Sequence, residues 1–195
     1  REALKTRSFY LLLLAGTSNS AISTALVFHQ ASIIAVKNLE PGLSASIFAV
    51  ISPMILVGSF ISGYLIDKFP NRFILIIAQC ILVGSMLVNL TSTTTAQTIA
   101  YGALLGLAGG FFVTTNAVIW PNYYGRRHLG SIRGVVTTAM VAAAAMGPWP
   151  FGLLFDLTGG YSQAILIFLV LPISCIIAAF FATPPVGGPN DVPIQ

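Results

Sequence analysis

The side chains able to do chemistry in this sequence are few, and they sit in two kinds of place. The first is inside long apolar runs: Asn19, with Ser20 and Thr24 beside it, then His29 and Gln30, then Asn116. Polar groups in such runs must face protein or a water-filled cavity, because hydrocarbon gives them no partner. A histidine there could bind an anion or relay a proton, since its unperturbed pKa lies near 6.5. A hydrogen bond to a neighbouring helix would explain it as well. Asn19 is the best candidate to line a cavity, with interhelical bonding the alternative. Asn116, one helical turn before Trp120, could line an inner vestibule or serve packing.

The second place is the end of apolar runs, where charge gathers. Gly63 to Arg72 reads G-Y-L-I-D-K-F-P-N-R, and Tyr124 to Gly134 reads Y-G-R-R-H-L-G-S-I-R-G. Arg126, Arg127, His128 and Arg133 make the latter a basic segment that could pair with lipid phosphates or with acidic residues on other loops. Cys80 and Cys175 lie in apolar runs with no CxxC or metal-ligand spacing. Gly58-Ser59 and Gly84-Ser85 lack the GxSG setting of an intramembrane serine protease. Paired Asn-Pro-Ala motifs and a glycine-rich phosphate loop are also missing. The chain is therefore not expected to be an enzyme, and no cofactor or metal is expected.

The elements that position these residues follow from composition. Only 7% of residues are charged and 56% are hydrophobic. A soluble domain carries roughly a quarter charged residues, so lipid must be part of the solvent. The net charge of +4 sits in short clusters between apolar runs, which disfavours nucleic acid as a partner. A helix needs about 20 apolar residues to cross the hydrocarbon core. The uncharged stretch from Phe73 to Gly125 would make roughly 80 Å of helix at 1.5 Å per residue, too long for one crossing. It must fold back at the polar cluster Thr91–Gln97. The sequence thus predicts six spans, at about 8–36, 43–66, 73–91, 97–120, 134–155 and 161–182, followed by a flexible tail at 184–195. The bundle proper would occupy 1–183.

With six spans, Arg1, Lys5, Arg7, Lys68, Arg72, Arg126, Arg127 and Arg133 share one side, and only Lys37 falls on the other. The positive-inside rule makes the first side cytoplasmic, with both termini on it. Tyr10, Tyr64, Trp120, Tyr123 and Tyr124 then fall at inner ends, and Tyr101, Trp149 and Tyr161 near outer ends, as an aromatic belt requires. Asn89-Leu90-Thr91 is a glycosylation sequon placed too close to the membrane to be a good acceptor. Gly102, Gly106 and Gly110 form a small-xxx-small stripe for close helix packing. Gly147-Pro148-Trp149-Pro150 should break or bend the fifth span, and Pro53 and Pro172 could kink the second and sixth.

Two segments repeat. Gly63 to Asp67 and Gly152 to Asp156 both read G-x-L-x-D, and each closes the second helix of a three-helix group. Asp67 would be inside and Asp156 outside. Two triplets of opposite orientation are what an inverted-topology repeat predicts; chance likeness of short apolar strings is the alternative.

Gly63, Asp67, Lys68 and Arg72 fill the marked positions of a G-x-x-x-D-R/K-x-x-x-R pattern. This resembles the signature of the major facilitator superfamily, between the second and third helices of each six-helix half. The Tyr124–Gly134 segment, His29-Gln30 and Gly147-Pro148 resemble the monocarboxylate and oxalate–formate branch. The whole chain is similar to the C-terminal half, helices seven to twelve, of a twelve-helix carrier. That resemblance implies a secondary transporter moving a small solute, such as a monocarboxylate, by alternating access. The candidate solute contacts are then Asn19, His29, Gln30 and Asn116, picked out by their polar side chains in apolar runs. The resemblance also implies a gating latch at Gly63, Asp67, Lys68 and Arg72, and the basic segment adds Arg126 and Arg127 as gating candidates. The expected partners are the lipid bilayer of a plasma or inner membrane, a small-molecule substrate and an N-terminal six-helix half. The chain opens on Arg1 just before the first run, so a longer polypeptide is expected. A split transporter and a six-helix fragment that does not transport are the alternatives. The buried base that anion carriers of this branch commonly use has no counterpart in mid-span here.

Overall fold

A computed structural model describes residues 6–182. The expected tail at 184–195 lies outside the described residues. Within them the chain is all helix: α1 (Arg7–Phe28), α2 (Gln30–Val36), α3 (Leu43–Ile66), α4 (Asn71–Thr91), α5 (Thr95–Tyr124), α6 (Leu129–Met146), α7 (Pro148–Thr158) and α8 (Tyr161–Phe181). Six stretches are long and apolar enough to cross a membrane: α1, α3, α4, α5, α6 with α7, and α8.

The breaks have local causes. The first span is interrupted at His29 (φ −88°, ψ 4°), so the single helix expected over 8–36 is two. The fifth is interrupted at Gly147, after which Pro148 opens α7. Pro148 and Pro150 carry no N–H, so the carbonyls of Ala144 and Met146 lose their helical donors. By contrast α3 and α8 run unbroken through Pro53 and Pro172. The fifth span also starts earlier than expected, at Leu129, because Arg133 is tolerated within its first turns. The fourth passes Pro121 and ends only at Gly125, whose φ of 72° suits glycine. Thr94 starts α5 with a capping box: its Oγ1 accepts from Gln97 N at 3.3 Å, and Gln97 Oε1 accepts from Thr94 N at 3.3 Å.

The packing has the symmetry of two inverted triplets. Helix α3 lies on α5 as α6 lies on α1; α4 lies on α5 as α8 lies on α1; and α4 meets α8 at the centre. Exchanging the first span with the fourth, the second with the fifth and the third with the sixth leaves this pattern unchanged. The second–fourth contact is set by glycines. A methyl group on Gly106 would stand 2.5 Å from Ile51 O, and one on Gly58 2.5 Å from Leu107 O. Its counterpart is Gly147, which lies against the backbone of Ala21.

The apolar core falls into two clusters along the bundle. One, around Ile22, Leu26, Ile47, Met86, Phe151 and Ile165, fills the Lys37 end. The other, around Phe9, Ile74, Phe112, Trp120, Cys175 and Ala179, fills the arginine-rich end. Both described termini are at that second end: Tyr124 Oη is 2.8 Å from Thr6 Oγ1, and Tyr123 Oη donates to Ala182 O at 2.8 Å.

Candidate functional site

His29 occupies the break between α1 and α2, where its ring joins the two interrupted spans. Nε2 lies 3.0 Å from Pro148 O, and Nδ1 lies 3.0 Å from Tyr161 Oη. A carbonyl only accepts, so Nε2 carries a hydrogen and neutral Nδ1 accepts from the tyrosine hydroxyl. On protonation Nδ1 becomes a donor and the hydroxyl can rotate to accept. Both bonds therefore survive in either charge state. The ring packs against Phe28 and Phe151, and a methyl group on Gly152 would crowd its Cε1 at 3.3 Å. One edge of His29 lines an open groove of about 460 Å³ with Ala145, Pro148, Trp149, Gly152 and Asp156.

Gln30, the next residue, turns inward and is buried. Tyr101 Oη donates to Gln30 Oε1 at 2.9 Å. Asn89, from the last turn of α4, approaches the same tyrosine without completing a hydrogen bond. Lys37 Nζ donates to Asn89 O, to Asn89 Oδ1 at 3.2 Å and to Ser92 Oγ at 2.6 Å. An ammonium on the last carbonyls of a helix also meets the negative end of its dipole. Half-burial with no carboxylate partner pulls the Lys37 pKa down to about 8.

Asn19 is buried in α1, and its carbonyl accepts from Ser23 Oγ. Asn116 is committed to packing bonds: Oδ1 accepts from Trp120 Nε1 at 2.9 Å, and Nδ2 faces Met140 Sδ at 3.9 Å on α6. His29 and Gln30 are adjacent, but Gln30 points into the α4–α5 side while His29 faces α7 and α8. The groove therefore takes His29 alone of the four expected solute residues.

The gating candidates lie together at the arginine-rich end. Asp67 and Lys68 are exposed just past α3. Lys68 Nζ donates to Tyr64 Oη and sits 4.1 Å above that ring; Arg72 lies 5.0 Å from the Phe73 ring. Among the described residues Asp67 forms no ion pair with either base. Arg126 and Arg127 are exposed between α5 and α6. A methyl group on Gly63 would meet nothing within 4 Å, so this bundle itself does not require a glycine there.

Two residues with a claim on function are not apparent from the charge pattern. Gln79 is wholly buried in mid-α4, its Nε2 3.5 Å from Ala15 O and its Oε1 without a partner. An amide in the middle of a charge-free run is itself the signal that marks it. Asn89 sits inside the bundle at the sequon, so burial closes it to glycosylation more firmly than nearness to the membrane does. The expected aromatic belt also divides. Tyr10, Tyr64 and Trp149 are exposed, whereas Tyr101, Tyr123 and Tyr161 are core residues whose hydroxyls reach other elements, and Trp120 is a core residue bonded to Asn116 within α5.

A comparison with curated proteins finds no match. The family model described as Major Facilitator Superfamily matches residues 9–194. With six apolar spans packed as two inverted triplets, the chain belongs to the Major Facilitator Superfamily, a family of membrane transporters.

Proposed function

We propose that this bundle is one wall of a transport cavity and works against a second six-helix bundle, in the same polypeptide or another chain. The observation that carries this reading is the bare face of the second and fifth spans. Of their most apolar stretches only 11% and 6% is buried, against 44–50% for the other four spans. Helix α6 exposes small residues there, Gly134, Thr137, Thr138, Ala142 and Ala145, which suit close approach of another helix. Helix α8 instead exposes Leu166, Ile167, Val170 and Ile177, a lipid-like surface. The free methyl space at Gly63 and the carboxylate of Asp67, which pairs with no base among the described residues, fit a latch whose partner belongs to the other bundle. The arginine-rich end would face the cytoplasm, and rocking of the two bundles would expose the cavity to each side in turn.

The solute we favour is a small organic anion such as a monocarboxylate. No Lys or Arg lies in mid-span among the described residues. His29 is the group that could supply positive charge at the groove, and it can take a proton without losing Tyr161 or Pro148. Carboxylate uptake would then be proton-linked. The test is uptake of labelled lactate, formate or oxalate by proteoliposomes, with and without an inward proton gradient. We expect gradient-stimulated uptake that His29→Gln reduces at least tenfold. Gradient-independent uptake, or full activity in His29→Gln, would refute the proton link. No uptake of any of the three would refute the solute class.

A further inference from the structure

At the Lys37 end the structure has a local excess of hydrogen-bond donors and positive charge. Gln30 Nε2 and Asn89 Nδ2 are both shut away from solvent, and neither has an acceptor. The two side chains are only 1% exposed and flank one hydroxyl, that of Tyr101, which donates to Gln30 Oε1 and meets neither free N–H in hydrogen-bond geometry. Buried amide donors are almost always satisfied, and leaving one unmet forfeits the water it gave up on folding. Beside them stands Lys37, whose Nζ touches only neutral oxygens. Glu40, the nearest acid in sequence, is exposed, and Asp156 belongs to the groove on the far side of His29. Tyr101 is the other titratable group facing the cluster. Two orphan donors and one uncompensated cation lack the same thing, a negatively charged acceptor. Half-exposed Lys37 leaves a way in from one side.

We propose that Gln30, Asn89 and Lys37 bind a small monovalent anion of chloride size, next to Tyr101 and at the junction of α2, α4 and α5. The anion takes the free N–H of each amide and is held by the field of the ammonium. It ties the end of the first span to the turn between the third and fourth. Because it sits on the opposite side of the first span from the groove, it is separate from the proposed solute path. It would bind whether or not the bundle transports.

The test uses the full chain in detergent or nanodiscs at constant ionic strength, with chloride replacing gluconate. Two readouts are taken at pH 7: thermal unfolding, and the 13C-methyl NMR signal of Lys37 after reductive methylation. We expect the unfolding temperature to rise with chloride and saturate, because a ligand of the folded state stabilises by mass action. We expect chloride to raise the apparent pKa of Lys37 and leave Lys68 unmoved, since the anion favours the ammonium. Lys37→Gln should abolish the chloride dependence of unfolding. If that variant does not fold, the methyl titration of the wild-type chain still decides. Unfolding and Lys37 titration both indifferent to chloride would overturn the proposal and leave a water as the shared acceptor.

Discussion

Glycine 106 makes the sharpest test of how these helices meet. On α5 it faces α3 so closely that an added methyl would lie 2.5 Å from Ile51 O, 2.8 Å from Met54 Cβ and 3.0 Å from Ile51 Cα. The first of these is backbone and cannot swing aside. Real Cβ contacts are essentially never below 3.0 Å, so Gly106→Ala must part the helices by at least about 0.5 Å. A gap of that size forfeits a quarter or more of each affected dispersion contact. Overpacking of this kind costs about 1–3 kcal/mol. Gly109, three residues on, is the control: its methyl would stand at an ordinary 3.5 Å from Ile55 Cγ1. Both substitutions gain the same helix propensity, at most about 1 kcal/mol, so that term cancels between them. Near 200 residues, 1 kcal/mol moves the midpoint by roughly 2–4 °C. Gly106→Ala should therefore melt roughly 2–12 °C below Gly109→Ala, measured by thiol-reactive dye or scanning fluorimetry in detergent. Equal midpoints would refute the backbone contact between α3 and α5.

Three further outcomes follow from the same geometry. Asn116→Leu leaves the buried Trp120 Nε1 without its acceptor, and should cost about 1–3 kcal/mol in the same assay, with altered tryptophan fluorescence. Asp67→Asn should leave stability within about 0.5 kcal/mol, since the carboxylate is exposed and pairs with no base among the described residues. In a transporting assembly it should change both uptake rate and cysteine accessibility, and no change in either would end the latch reading. In halide-free buffer, Lys37 binds fewer protons folded than unfolded between about 8 and its ordinary 10.5. Stability should therefore rise with pH through that window and lose that gain as pH falls through 8. Lys37→Met should flatten the rise.

Much of the fold was legible because hydrocarbon imposes one rule on every residue. Charge-free length sets the spans, and Lys37 alone against eight other bases sets the two ends. The G-x-L-x-D pair pointed to the inverted triplets that the helix packing repeats. Span ends were less legible where a charge lies within the helix, as at Arg133. The break at His29 was invisible because no Pro or Gly marks it; it exists where the ring bonds two other spans. Gly147-Pro148 did announce its break. Of the site, residue type identified which groups were polar in the membrane but not which way they faced. Adjacent in sequence, His29 and Gln30 serve opposite sides of the first span, and Asn116 is spent on Trp120. Gln79 and Asn89 needed neighbours from distant sequence before their unmet atoms could be seen.

In the proposed assembly a second bundle covers the faces of α3 and α6 while α8 faces lipid. Single spin labels at Phe60 and Val141, and at Val170 and Ile177, start from similar exposure in this chain, at 80%, 63%, 61% and 57%. Their collision rates with oxygen and with a water-soluble nickel complex are then read in membranes that contain the transporting protein, in a background with Cys80 and Cys175 replaced. Labels at 60 and 141 should be shielded from lipid-dissolved oxygen while those at 170 and 177 are fully accessible. Equal oxygen accessibility at all four positions would contradict it.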